Sequence, residues 1–86
     1  MAAPWNVVSV KAVGPLTLFV EHRDGVKGHV RFLEAHLHGV FEALKDPEYF
    51  KQVGIQYGAV TWPGELDIAP DAMHDEIEKN GEWVLQ

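Results

Sequence analysis

The chain reads as an α+β domain: a small antiparallel sheet, in the order βββ-αα-ββ-α, with helices packed on one face. Three observations predict this class. The first third carries three apolar stretches separated by Gly14-Pro15 and by Asp24-Gly25. From Leu33 onward the apolar spacing becomes helical. A second strand pattern then ends on Trp62-Pro63-Gly64, shortly before Pro70 and Asp71 open a helix. The 86 residues make one domain with a modest core, spanning 7–79 and leaving 80–86 as a C-terminal tail. An apolar fraction of 47% and three tryptophans place the chain among folded globules.

Val7–Val13 is the first strand, and Gly14-Pro15 breaks it. Leu16–His22 and Val26–Phe32 follow as a hairpin around Arg23-Asp24-Gly25. A two-residue Asp-Gly loop would pair Val20 with His29 and Leu18 with Arg31. A three-residue loop pairs Leu18 with Val30 and Leu16 with Phe32, which keeps the apolar pairs on one face. That register demands a type I turn with Gly25 left-handed in a G1 bulge, and sets Gly28 opposite Val20 on the buried face. The same reasoning places Val8, Val10 and Ala12 beside Val20, Leu18 and Leu16.

Leu33, Leu37, Val40, Phe41 and Leu44 then fall at helical spacing, with an irregular piece near His38-Gly39. Asp46 suits a helix cap and Pro47 a first helical position; Gly54 ends that helix. Ile55–Tyr57 and Val60–Trp62 form a short strand pair around Gly58. Trp62, preceding a proline, is extended. Pro63-Gly64 makes a type II turn with Gly64 at positive φ. Leu66 and Ile68 point one way and Asp67 the other. The last helix runs from Pro70 to Lys79, buries Met73 and Ile77, and stops at Gly81. Glu82–Gln86 is a tail with two or three anchoring side chains.

Net charge is −6, from 13 acidic and 7 basic residues, which disfavours direct nucleic-acid binding. The acid concentrates from Glu65 onward, a composition suited to a basic protein partner. Cysteine is absent, so disulfides and thiolate metal sites are excluded. No apolar run reaches membrane-spanning length, and Met1–Trp5 lacks the pattern of a signal peptide. A cytoplasmic location is the expectation.

Five histidines raise the question of a metal. His36 and His38 are two apart and diverge on a helix, while His22 and His29 occupy neighbouring strands. No ligand spacing of the His-Glu-x-x-His kind occurs, so surface histidines and no bound metal are expected. Glu65, Asp67, Asp71 and Asp75 lack the central glycine of a calcium loop. Asp67 reads as a structural acceptor for the backbone N–H of Ala69 or of the helix start. Neither a nucleophile elbow, nor a phosphate loop, nor a dinucleotide fingerprint is present. The expectation is therefore a non-enzyme without catalytic residues or cofactor.

The pattern Leu16-x-Leu-x-Val with Asp24-Gly25, then Val40-Phe41-x-x-Leu44-x-Asp46-x-x-x-Phe50, then Trp62-Pro63-x-x-x-Asp67-Ile68-x-Pro70-Asp71, resembles the bacterial family known as domain of unknown function 2442. The resemblance runs from about Val7 to Met73. It implies an α+β domain, which in some members continues into a helix-turn-helix. Many members are encoded beside a small toxin-like protein, which implies an antitoxin-like role. Phe32 replaces a frequent acidic residue, Gly64-Glu65 replaces an Asn-Gly turn, and the chain ends soon after its last helix. The DNA-reading role is accordingly not carried over; binding of a small basic protein is. Asp24, Gly25, Trp62, Pro63, Gly64, Asp67, Pro70 and Asp71 form the structural signature. A small ligand-binding domain or enzyme built on the Asp67 region is the alternative.

Overall fold

The computed structural model describes residues 3–33, 35, 37, 39–64 and 66–85, and the side chain of residue 40 is not described. Expectations for His36, His38 and Glu65 lie outside the described residues. The elements are β1 (Val7–Gly14), β2 (Thr17–His22), β3 (Lys27–Phe32), a 3-10 helix (Gly39–Lys45), α1 (Pro47–Phe50), β4 (Gly54–Gln56), β5 (Ala59–Trp62), β6 (Leu66–Ile68), α2 (Pro70–Asn80) and β7 (Glu82–Leu85). The class is α+β. Its strands divide into a four-stranded sheet, β1-β2-β3-β7, and a three-stranded sheet, β4-β5-β6.

The β2–β3 hairpin has the register that its apolar residues require. Leu18 faces Val30 and Val20 faces Gly28, while Phe32 N–H donates to the Leu16 carbonyl. Gly25 N–H donates to the His22 carbonyl, and Gly25 has φ +93°. The first hairpin departs from expectation by two residues. Val10 faces Val20 and Ala12 faces Leu18. Leu16 leaves the strand for the turn, at φ +51°. A shift of two keeps the same face inward, so the apolar pattern alone did not fix it. An irregularity between Val7 and Ser9 buries Val7 and leaves Val8 55% exposed.

The helical spacing after Leu33 gives a 3-10 helix rather than an α-helix, entered through Gly39 at φ +58°. Asp46 caps α1 by accepting from Glu48 N–H at 3.0 Å, but α1 is only four residues long. Tyr57 and Gly58 both have positive φ, as a two-residue turn between β4 and β5 requires. Leu66–Ile68 forms a third strand of that sheet, pairing Asp67 with Thr61. The tail becomes β7, which pairs in parallel with β3.

One core draws on both sheets and on the helices. At its centre Phe32, Phe50 and Trp62 meet with ring centroids 5.8–6.0 Å apart. Trp62 Nε1–H donates to the Phe50 carbonyl at 2.9 Å, so its buried polar tip is satisfied. Val7 N–H donates to the Gly58 carbonyl at 2.8 Å and ties the edge of one sheet to the turn of the other. Gly28 is the point of closest approach between β3 and the end of α2: an added Cβ would meet the Gly81 carbonyl oxygen and lie 2.8 Å from Ile77 Cγ2.

Candidate functional site

Strand alternation places Leu18, Val20 and His22 on one face of β2, and all three are buried. His22 is 0% exposed, which corrects the expectation of surface histidines. Its Nδ1 lies 2.6 Å from the Trp5 carbonyl oxygen. A carbonyl only accepts, so Nδ1 carries the proton and Nε2 of the neutral ring is left with a bare lone pair. That Nε2 is buried without a hydrogen-bond partner among the described residues. Burial pushes the His22 imidazole below the ordinary histidine range, against the opposing effect of the Trp5 bond.

The turn that follows positions Asp24. Its Oδ1 accepts from Val26 N–H at 3.1 Å, which fixes the carboxylate within the hairpin. Its Oδ2 lies 2.7 Å from His74 Nε2 on α2. The His74 bond, with the Val26 N–H second, lowers the Asp24 carboxyl below its ordinary range. The His74 ring packs edge-to-face on His22 with centroids 5.0 Å apart. Glu78 follows His74 by one helical turn, on the same side of α2. Donor atoms of Asp24, His74 and Glu78 all lie within 4.8 Å of one another. The N-terminal segment covers the turn: Arg23 N–H donates to the Asn6 carbonyl and Asp24 N–H to the Pro4 carbonyl.

The signature residues fall in separate places. Asp24 and Gly25 belong to this cluster. Trp62, Pro63 and Gly64 belong to the β5–β6 turn, held to α1 by the Tyr49 hydroxyl, which donates to the Pro63 carbonyl. Gly64 has φ +95°, as its turn was expected to need. Pro70 and Asp71 open α2, and Asp71 Oδ1 accepts from Ala72 N–H at 2.9 Å. Asp67 does not cap that helix. The N-cap of α2 is Ala69, without a side-chain cap bond, and the Asp67 side chain is exposed. Pairing in β6 holds Asp67 extended and directs it away from the helix start. Asp67 instead rims a cavity of about 260 Å³ with Phe32, Leu37, Phe41, Ile68 and Leu85. A larger groove of about 580 Å³ runs between the β1–β2 turn and α1 and is mostly apolar.

The sequence reading did not single out His74 and Glu78. Their spacing on α2 was the available signal, and the alternation of β2 was the signal for burial of His22. No helix among the described residues is long and apolar enough to cross a membrane. Neither a curated protein nor a solved structure matches this chain. A family model does match over residues 7–79, which takes in every element from β1 to most of α2. The chain thus belongs to the family described as Protein of unknown function (DUF2442).

Proposed function

We propose that this protein is a non-enzymatic interaction module, antitoxin-like in role, that takes a small basic protein on the acidic side formed by α2 and its lead-in. One observation carries the reading. Asp67, Asp71, Asp75 and Glu76 form no ion pair with a lysine or arginine among the described residues, whereas Glu48 pairs with Lys51 and Glu82 with Arg31. Unneutralised carboxylates of one sign steer a partner of the opposite sign. Large exposed side chains suited to anchoring a partner are also present. Trp5, whose carbonyl holds His22 beside α2, is 43% exposed, and Tyr57, beside the Gly58 that meets Asn6, is 94% exposed. Exposed Trp and Tyr are the side chains that most often dominate binding energy.

The test is affinity capture of the tagged protein from its own cells at low and high salt. A Asp71→Lys/Asp75→Lys variant is run in parallel. A stoichiometric small basic protein, weakened by salt and lost with the variant, is the expected result. A partner retained equally by the variant, or one that is not basic, removes the basis of this reading. The second reading, a small-ligand site at the Asp67 cavity, draws on the exposed carboxylate at an apolar rim. That cavity is below the roughly 300–1,000 Å³ of ordinary ligand sites. A ligand-induced rise in melting temperature that Asp67→Asn abolishes would favour it.

A further inference from the structure

The cluster where the β2–β3 turn meets α2 has the donor set of a metal centre. We propose that Asp24, His74 and Glu78 bind a first-row divalent ion of the zinc class, beside the buried, unpaired Nε2 of His22. The expectation of no metal rested on spacing along the chain, and these donors converge only through the fold. A carboxylate oxygen of Asp24, a ring nitrogen of His74 and a Glu78 oxygen are already within 4.8 Å of one another, against about 3.3 Å between donors in a tetrahedral zinc site. His74 and Glu78, one helical turn apart, share one side of α2, beside the Asp24 carboxylate.

His22 is the independent observation. Its Nδ1–H is held by the Trp5 carbonyl and its Nε2 lone pair is buried and unpaired, beside the His74 ring. Metal-ligating histidines almost always carry this arrangement, with the far ring nitrogen donating to a backbone carbonyl or carboxylate. A buried acceptor with no donor is otherwise a net cost to the fold. Asp24 is likewise held: Val26 N–H fixes Oδ1, and Oδ2 meets His74 Nε2 at 2.7 Å, a contact that the ion would replace. Two carboxylates and a neutral imidazole balance a divalent charge, with solvent free to complete the tetrahedron. Imidazole donors favour zinc, nickel or copper over magnesium and calcium. Bound there, an ion would clamp residues fifty positions apart in the chain, joining α2 to the hairpin turn.

The test is calorimetric titration of tag-free, chelator-stripped full-length protein with Zn²⁺, with Co²⁺ absorption as the report on coordination. One ion per chain and a tetrahedral Co²⁺ spectrum are expected. Removing a direct ligand should cost at least the roughly 10- to 100-fold that outer partners of a metal cost. His74→Ala and the exposed, conservative Glu78→Gln should each show that loss, while His36→Ala/His38→Ala should not. Circular dichroism establishes that the variants are folded; should His74→Ala fail to fold, Glu78→Gln decides. Absence of Zn²⁺ binding at millimolar concentration overturns the proposal. So does binding that survives Glu78→Gln undiminished or disappears with the His36/His38 variant, since the cluster would then be a hydrogen-bonded pair and nothing more.

Discussion

At His22 the neutral imidazole is favoured by burial, and this couples the fold to acid. Its folded pKa lies below the 6.5 of an ordinary histidine, so between those values the unfolded chain binds more protons than the folded one. The contribution to stability is complete above about pH 6.5 and is lost as pH falls toward the folded value, by at most about 1.4 kcal/mol per unit. Asp24, lowered in turn, adds a separate loss below the ordinary carboxylate range. Urea midpoints of chelator-stripped protein across about pH 7.5 to 5 should fall with pH, and His22→Gln should flatten that slope. An unchanged slope in the variant would assign it elsewhere. Asp67 carries the opposite expectation. Exposed and without a capping bond, Asp67→Ala should shift stability by no more than about 0.5 kcal/mol. A loss of about 1–2 kcal/mol in thermal melts would restore the capping role. Its sequence context is that of a cap, because a three-residue strand has too little pattern to announce itself. Burial of His22 was missed, although its position two residues beyond Val20 on a strand faces it toward the core.

Among the elements, the β2–β3 hairpin and α2 were readable because local chemistry and apolar pattern agree there. Gly25 and Gly81 take the left-handed conformations that their turn and helix end need. The first hairpin was not readable in register, since the turn is made at Leu16, a residue with no turn propensity. The contact between β3 and α2 yields a sharper test. Gly28→Ala places a methyl group against the Gly81 carbonyl and Ile77, both fixed by the end of α2. Overpacking of this kind costs about 1–3 kcal/mol. Gly14→Ala, where an added Cβ meets nothing within 4 Å, is the control and should be close to neutral. Equal denaturant midpoints for the two variants would mean that α2 moves freely off β3.

At the scale of the whole molecule, one strand of the larger sheet lies outside the stretch that the family model covers. β7 begins after residue 79 and supplies the fourth strand of the larger sheet, in parallel with β3. A sequence reading inclines to call such a segment a tail, because parallel pairing with a strand some fifty residues earlier leaves no local trace. The structure gives it two tasks. Its backbone covers the edge of β3, and Trp83 and Leu85 pack against the core beside Val30 and Phe32. Removing residues 82–86 should therefore expose an apolar strand edge as well as lose packing. The expected result is a melting temperature lower by several degrees or more, since each 1 kcal/mol shifts a domain of this size by about 4–8 °C. Concentration-dependent association of the truncated chain should accompany it. Trp83→Ala separates the two effects, because it keeps the backbone pairing and removes only the side chain. It should lower stability without promoting association. A truncated chain that melts with the full-length protein and stays monomeric would return residues 82–86 to the status of a tail, and would place the entire fold within residues 7–81.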